Sequence, residues 1–107
     1  MVIKQYEIYW VNLDPTIGSE IKKTRPCIII SPDVSNKHLN TILIAPVTST
    51  IRNLPMRFDV RINRKKGNVC LDQIRCIDKS RLTKKISKLS AIEIETLKSI
   101  LREFLID

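Results

Sequence analysis

The chain has 107 residues, of which 43% are apolar and 28% charged, and 19 Lys and Arg against 11 Asp and Glu leave a net charge of +8. This composition excludes a disordered segment, and the length suits one domain, residues 1–107, with one core. A domain this small has little spare stability, so we expect a homodimer. The positive charge attracts polyanions, nucleic acid first among them, although a lysine-rich surface also serves solubility alone.

The ligand-forming residues are too few and too scattered for a metal site. Cys27, Cys70 and Cys76 lie in or beside apolar runs, and we expect all three to be reduced core thiols. No two cysteines are spaced as a metal-binding pair, and His38 is the only histidine, so no metal and no cofactor are expected. No apolar run approaches the roughly 18 residues of a membrane span, which predicts a cytoplasmic protein without membrane contact.

Short apolar runs rich in β-branched residues predict the first strands, at residues 8–13, 27–30 and 42–47. Residues 56–62 alternate between apolar and polar side chains. A strand there buries one face, composed of Met56, Phe58, Val60 and Ile62.

The next segment contains a turn signal and then another apolar run. Residues 65–68 (KKGN) predict a tight turn into a strand at 69–77, which we expect to be interrupted around Asp72 and Gln73. A further short strand is indicated near Ile86.

The C-terminal segment changes to helical spacing, and we expect a helix over about residues 91–104. Ser90 and Glu93 form a capping box at its start, and Leu89 can pack on Ile94 one turn later. Its apolar stripe comprises Ile94, Leu97, Leu101, Phe104 and Leu105.

Many short strands followed by one helix predict a mainly β fold, a small curled sheet or barrel capped by that helix. Two long polar connections, residues 14–25 and 32–40, are the places where binding groups are expected.

Two short segments contain side chains suited to a phosphate. Arg25 precedes Pro26, which biases it toward extended backbone and allows its guanidinium to be aimed at two phosphoryl oxygens. Thr48 and Ser49 end a strand with two hydroxyls. Taken alone, these residues are better explained as a solvated arginine and as local turn formers.

Four segments, in order and spanning nearly the whole chain, resemble the MazF/PemK toxins: residues 8–20 (IYWVNLDPTIGSE), 24–26 (TRP), 46–49 (PVTS) and 71–78 (LDQIRCID). The resemblance implies an SH3-like β-barrel of the CcdB/PemK type with a C-terminal amphipathic helix, assembled as a homodimer. It implies a toxin of a type II toxin–antitoxin system that cleaves single-stranded RNA at specific sequences without a metal ion. A cognate antitoxin with an acidic, flexible tail is the implied partner.

The resemblance also implies roles for individual residues. Arg25 and Thr48 match the catalytic pair. Positions that support the site or contact RNA are matched by Glu20, Asp72, Gln73 and Arg75, and Ser19 and Ser49 are candidates for a supporting role. A branch of the family has a histidine and an arginine where this chain has Ser19 and Cys70, so that branch's acid–base assignment does not transfer.

The implied reaction is attack of the substrate's own 2'-OH on the adjacent phosphorus, which leaves a 2',3'-cyclic phosphate and a 5'-OH. Arginine is a poor base, so the general base is not assigned. Glu20 could serve, or could form a salt bridge with Arg25 or Lys22. We expect no catalytic role for His38.

Contacts to the RNA backbone are expected from basic residues spread along the chain: Lys22, Lys23, Arg52, Arg57, Arg64, Lys65, Lys66 and Arg75. Each of them could equally be solvated surface. Trp10 lies in the first strand, where we expect it in the core or an interface rather than as a platform for a base.

Two other functions remain open. A related toxin family with this barrel binds DNA gyrase and cuts no RNA, and fold alone does not separate the two. A basic RNA-binding module without catalysis would bind any sequence and tolerate Thr48→Ala.

Overall fold

The computed structural model describes residues 2–106, and within them seven β-strands and two α-helices follow one another along the chain. They are β1 (Glu7–Asn12), β2 (Thr24–Ile29), α1 (Asp33–His38), β3 (Thr41–Thr48), β4 (Arg57–Ile62), β5 (Lys65–Cys70), β6 (Arg75–Asp78), β7 (Leu82–Lys88) and α2 (Ala91–Leu101). Single 3-10 turns at Leu71–Gln73 and Lys79–Arg81 flank β6, and a π-type turn covers Arg102–Ile106.

The strands pair antiparallel in the order β4-β5-β3-β2-β1-β7. Strand β3 is the long element that joins two parts of the sheet, because residues 41–44 pair with β6 and residues 47–48 pair with β5. The sheet curls into a half-barrel, and α2 follows it at the C-terminus. This confirms the predicted fold class, a mainly β barrel-like domain with a C-terminal helix.

The expectation of one core is wrong, because buried residues form two clusters on opposite faces of β1 and β2. The first cluster contains Tyr9 and Cys27, and the second contains Ile8 and Ile28. Successive side chains of a strand point to opposite faces, so a continuous apolar run can bury both. The runs in β1, β2 and β3 do so.

The predicted strands all occur, with bounds that differ by up to three residues, except that residues 69–77 divide into β5 and β6. The 3-10 turn Leu71–Gln73 separates them at the predicted interruption. The strand indicated near Ile86 is β7, which is longer than expected. Val60 and Ile62 are buried as predicted, while Met56 and Phe58 are half-buried at the edge of the second cluster.

The predicted turn at residues 65–68 is wrong, because these residues lie within β5. The chain reverses at Asn63 and Arg64, whose φ values of 49° and 70° suit a two-residue hairpin between Ile62 and Lys65. Gly67 serves a close approach instead, since a Cβ there would lie 2.6 Å from Cγ1 of Val47.

Helix α1 was not expected, because it is one short polar stretch inside the predicted connection 32–40. Its single buried side chain, Asn36, accepts a hydrogen bond from Ser31 Oγ and donates one to the Ser31 carbonyl. A helix held by such polar contacts has no apolar stripe to reveal it.

Helix α2 has the predicted capping box, with Ser90 Oγ accepting from Glu93 N at 3.2 Å and Glu93 Oε1 accepting from Ser90 N at 2.8 Å. Leu89 and Ile94 both join the second cluster. The α-helix ends at Leu101 rather than Phe104. The stripe is therefore wrong at Phe104 and Leu105, which are exposed.

None of the helices between residues 2 and 106 has the length and apolar composition needed to cross a membrane.

Candidate functional site

The pairing of β2 with β3 brings Arg25 and Thr48 to the same end of the sheet. The ladder between the two strands reaches Cys27 opposite Pro46. Arg25 lies two residues before Cys27 and Thr48 two residues after Pro46, so alternation places both on one face. On its other side Arg25 pairs with Val11 of β1.

Both residues line an open cavity of about 450 Å³, which we call the Arg25 cavity. Its polar lining consists of three cations and three hydroxyls, with one amide: Arg25, Lys65, Lys66, Thr24, Thr48, Ser49 and Asn63. Its apolar lining comes from Trp10, Pro26, Val47, Ile62, Gly67 and Ile86. No carboxylate lies among these thirteen residues, so the cavity attracts anions.

The donors of Arg25 and Thr48 are available to a ligand. Arg25 Nε donates to the Lys22 carbonyl at 3.3 Å, and neither Nη group has a hydrogen-bond partner within residues 2–106. Thr48 Oγ1 accepts from Thr50 N at 3.2 Å, which fixes the oxygen and leaves its proton to donate. A guanidinium and a hydroxyl held this way can bind two oxygens of one phosphate.

The charge of the cavity is only partly neutralised by the protein. Lys66 Nζ forms an ion pair with Asp59 Oδ2 at 3.3 Å, on the hairpin β4–β5. For Arg25 and Lys65, no carboxylate of the described chain lies within ion-pair distance. Arg25 and Lys65 therefore have no counter-ion from residues 2–106.

The buried cysteines do not supply a nucleophile. Burial raises the pKa of Cys27 to about 12. Burial also raises the pKa of Cys70, against the opposing positive charges of Arg57 and Arg25. Both thiols are therefore protonated and act as core groups, as predicted. Cys76 departs from the prediction, since it is exposed on β6.

Residues 4–105 match the model of the PemK-like, MazF-like toxins of type II toxin–antitoxin systems. The chain belongs to this family. Endoribonuclease EndoA of Bacillus subtilis (strain 168) is 35% identical over 95 residues, which cover 83% of this chain and 82% of that protein.

Solved structures of family toxins have the same fold. MazF of Deinococcus radiodurans superposes with a TM-score of 0.87 at 24% identity, covering 98% of this chain and 97% of that chain. A mycobacterial endoribonuclease in complex with its cognate antitoxin superposes with a TM-score of 0.81 at 18% identity, covering 96% and 94%. Identities this low establish a common fold and no more.

Most residues that the family resemblance singled out as supporting the site lie at a second cavity, of about 440 Å³. It is lined by Ser19, Glu20, Asp72, Gln73 and Arg75, together with Ile21, Pro46 and Ile74. Gln73 Oε1 accepts from Ile21 N at 2.8 Å and ties the first loop to the turn after β5. Ser49 is the exception and lines the Arg25 cavity.

Glu20 has a structural contact and no salt bridge. Its Oε1 accepts from Ile17 N at 2.7 Å within the first loop. Neither Arg25 nor Lys22 pairs with it among the ion pairs of the described chain, so the alternative of a salt bridge is not observed there. The carboxylate belongs to the second cavity and does not line the Arg25 cavity.

Arg57 is committed to a bidentate ion pair with Asp72, with Nε–Oδ1 at 2.7 Å and Nη2–Oδ2 at 3.0 Å. Its Nη1 donates to Asn68 Oδ1, and Asn68 Nδ2 donates to the Arg52 carbonyl. This network ties β4, β5 and the turn Leu71–Gln73 to the loop that follows Thr48. It supports the walls of both cavities.

The Arg57–Asp72 pair should make folding stability depend on pH. The hydrogen bond from Arg57 lowers the pKa of Asp72, so the pair stabilises the fold above the unfolded pKa of about 3.9. That contribution is lost as the pH falls through the folded pKa. We expect Asp72→Asn to weaken the protein more at pH 7 than at pH 3, as measured by urea unfolding.

The control for this prediction is the same substitution in an Arg57→Gln background, where the pH dependence of the difference should disappear. An equal loss at both pH values in the wild-type background would show that the pair contributes no pH-dependent stability.

The remaining predicted RNA contacts lie outside the lining of both cavities: Lys22, Lys23, Arg52, Arg57 and Arg64. Lys65 and Lys66 are brought to the Arg25 cavity. His38 is exposed at the end of α1 and lines neither cavity.

Sequence reasoning missed Trp10, Thr24 and Asn63, all of which line the Arg25 cavity. A core position for Trp10 is wrong, since the side chain is 39% exposed. Two signals could have identified the polar ones. Thr24 directly precedes Arg25, and Asn63 lies at the tip of the hairpin between β4 and β5. Trp10 lies on the strand adjacent to Arg25, which only the pairing of β1 with β2 reveals.

Proposed function

We propose that this toxin cleaves single-stranded RNA, including mRNA, at short specific sequences and without a metal ion. Family membership and the relative named endoribonuclease EndoA support the coarser statement, that the chain is an endoribonuclease toxin. The observation that carries the finer proposal is the meeting of Arg25 and Thr48, with unused donors, at one cationic cavity.

The proposed reaction uses the substrate's own nucleophile. The 2'-oxygen attacks the adjacent phosphorus, the bond from phosphorus to the 5'-oxygen breaks, and the departing oxygen takes a proton. The products are a 2',3'-cyclic phosphate and a 5'-OH. The 2'-OH proton must leave during the attack, and we assign no side chain as its acceptor.

Arg25 and Thr48 act on the charge that accumulates on the phosphoryl oxygens. Donors already in position stabilise that charge without having to reorganise during the reaction. The unpaired Nη groups of Arg25 suit two oxygens at once, and the Thr48 hydroxyl suits one. Lys65 contributes a further positive charge to the same lining.

The electrostatics of the Arg25 cavity support a reaction without a metal ion. Its charged side chains are Arg25, Lys65 and Lys66, which repel a divalent cation. The oxygen ligands that such a cation prefers are carboxylates, and the thirteen lining residues include none. In this cavity the arginine takes the place that a Lewis acid occupies in metal nucleases.

The partners proposed are the RNA substrate, a cognate antitoxin and a second copy of the chain. Solved family structures include a MazE–MazF complex from Deinococcus radiodurans, which supports an antitoxin partner here. A positively charged toxin with a net charge of +8 suits an acidic inhibitor. Action on mRNA places the protein in the cytoplasm.

The test is incubation of the purified protein with a long single-stranded RNA in EDTA, followed by mapping of the cuts and analysis of the ends. We expect discrete cuts bearing cyclic phosphate and 5'-OH ends. A second substrate carries a single 2'-deoxy nucleotide on the 5' side of a mapped cut. That cut should disappear while the others remain, because only one nucleophile has been removed.

Cleavage of the deoxy substrate at the altered position would contradict 2'-OH attack. Cleavage that needs added Mg²⁺ would contradict the metal-independent mechanism. RNA left intact by the folded, antitoxin-free protein would point to a poison of the gyrase-binding kind.

A further inference from the structure

Asn68 is a buried polar side chain directly beside Thr48. It lies on β5 opposite Thr48, and Asp59 of β4 lies opposite it on the other side. Opposed residues of paired strands share one face of the sheet, with their Cβ atoms about 4.5–5.5 Å apart. Asn68 therefore lies on the face that carries Arg25 and Thr48, and at 1% exposure it is shielded from solvent.

The amide of Asn68 has a fixed orientation. Its Oδ1 accepts from Arg57 Nη1 at 3.3 Å, while its Nδ2 donates to Asp59 Oδ1 at 3.0 Å and to the Arg52 carbonyl at 3.3 Å. The reverse orientation would set the NH2 group against a guanidinium that Asp72 holds in place, and the oxygen against two acceptors. Both N–H groups are used inside the protein, so Asn68 does not bind a phosphate itself.

The bond to the Arg52 carbonyl fixes the loop that follows β3. Residues 49–56 connect β3 to β4 without forming a helix or a strand. Ile51 and Leu54, on either side of Arg52, are 45% and 44% exposed, so apolar burial holds this part of the loop only weakly. The hydrogen bond from Asn68 supplies the attachment that burial does not.

The same loop orients the Thr48 hydroxyl. Thr50 N donates to Thr48 Oγ1 at 3.2 Å, and Arg52 lies two residues further along. Because the bond from Asn68 to the Arg52 carbonyl fixes the path of this short segment, it also fixes the place from which Thr50 N donates. The hydroxyl proton is thereby directed to a ligand. A displacement of about 1 Å in a group that contacts the reacting atoms can cost about 100-fold in rate.

We propose that Asn68 is a positioning residue for RNA cleavage. Acting through the Arg52 carbonyl and Thr50 N, it holds the Thr48 hydroxyl in the orientation that meets the phosphate. The assignment rests on the proposed function, in which Thr48 stabilises the charge on the phosphoryl oxygens.

The first test is the rate of RNA cleavage by Asn68→Ala. At saturating RNA, kcat should fall about 10- to 100-fold, because the Thr48 hydroxyl is no longer held in place. KM should change by less than about threefold, since the groups that bind the RNA are still present.

A double-mutant comparison separates positioning from a general weakening of the sheet. In a Thr48→Ala background the hydroxyl is already absent, so Asn68→Ala should lower the rate there by less than about threefold. A residue that merely stabilises the sheet would have the same effect in both backgrounds. Single-turnover rates with excess enzyme make both backgrounds measurable.

The Thr50 amide reports the orientation directly, without RNA. Its hydrogen exchange with solvent, followed by NMR, should become faster in Asn68→Ala. It should become equally fast in Thr48→Ala, which removes the acceptor of the same hydrogen bond.

Asp59→Ala is the matched control, because it removes the other acceptor of Asn68 Nδ2 and leaves the bond to the Arg52 carbonyl. It should keep kcat within about threefold of the wild type and leave exchange at Thr50 unchanged. Thermal unfolding establishes that each variant is folded. If Asn68→Ala unfolds, Asn68→Leu takes its place, since leucine keeps nearly the same volume without the hydrogen bonds.

A folded Asn68→Ala protein that cleaves at the full rate would overturn the assignment. Equal losses of rate with and without the Thr48 hydroxyl would also overturn it, as would unchanged exchange at Thr50. These outcomes leave the proposed function intact, because the wild type cleaves in each of them. A wild type that leaves RNA intact would overturn the proposed function and this assignment with it.

Discussion

Arg25→Ala is expected to slow RNA cleavage by about 100- to 1000-fold while the protein remains folded. The guanidinium makes one weak hydrogen bond within the described chain, to the Lys22 carbonyl, so its loss removes little structural support. In the reaction it supplies two or more donors to a phosphate that gains charge. The loss should therefore appear in kcat, measured at saturating RNA with the initial rate of cut formation.

Arg25→Lys separates geometry from charge. Lysine keeps the positive charge but loses the planar fork that pairs two phosphoryl oxygens, so most of the rate should still be lost. Arg102→Ala is the matched control, because it removes the same charge from an exposed position outside both cavities. A full rate in Arg25→Ala, or an equal loss in Arg102→Ala, would show that Arg25 acts only through general attraction of RNA.

The sequence predicts the strands well because their apolar runs are short and β-branched, but it does not predict which strands pair. Arg25 and Thr48 are 23 positions apart, and their common site depends on the register that sets Cys27 opposite Pro46. From the residues alone, an arginine and a threonine at strand ends are unremarkable. The family resemblance selected this pair, and the structure shows both at one cavity.

The mistaken turn at residues 65–68 arose from the two uses of glycine. Glycine suits a positive φ and equally suits a close approach of neighbouring chains. Gly67 belongs to the second kind, since a Cβ would meet the buried side chain of Val47. The positive φ values occur at Asn63 and Arg64, and of these only the asparagine is a usual turn residue.

Trp10 shows that an uninterrupted apolar run does not predict how far along a strand both faces stay buried. Residues 8–11 are all apolar, which correctly indicates that both faces of β1 are buried over part of its length. The run does not show at which residue the second face stops being buried. That limit depends on how far β4 and β5 extend over β1, which is a long-range contact set by the curl of the sheet.

Leu97→Ala is expected to produce the largest loss of stability without impairing the chemistry. Leu97 is the one buried side chain of α2, 1% exposed, and it packs in the second cluster with Val60 and Ile62 of β4. Truncating a leucine in such a position costs about 2–5 kcal/mol, a large fraction of the roughly 5–15 kcal/mol that stabilises a domain. At about 4 °C per kcal/mol, Tm should fall by about 8–20 °C.

Helix α2 also supports the edge of the sheet that carries the cavity wall. Glu93 Oε2 accepts a hydrogen bond from Arg61 N at 3.1 Å. This bond ties α2 to the end of β4, just before the hairpin that leads to Lys65. Below the lowered Tm, the cavity remains assembled and Leu97→Ala should cleave RNA within about threefold of the wild-type rate. Ile92→Ala, on the same helix but 81% exposed, should change stability by less than about 0.5 kcal/mol.

The two substitutions divide the molecule into parts that can be tested separately. Arg25→Ala should remove catalysis and leave Tm unchanged, and Leu97→Ala should lower Tm and leave catalysis unchanged at permissive temperature. Each Tm is compared at one protein concentration, because assembly into a dimer would make it concentration-dependent. A Leu97→Ala protein that stays folded but has lost its activity would mean that α2 positions the Arg25 cavity directly, through β4, rather than only stabilising the sheet.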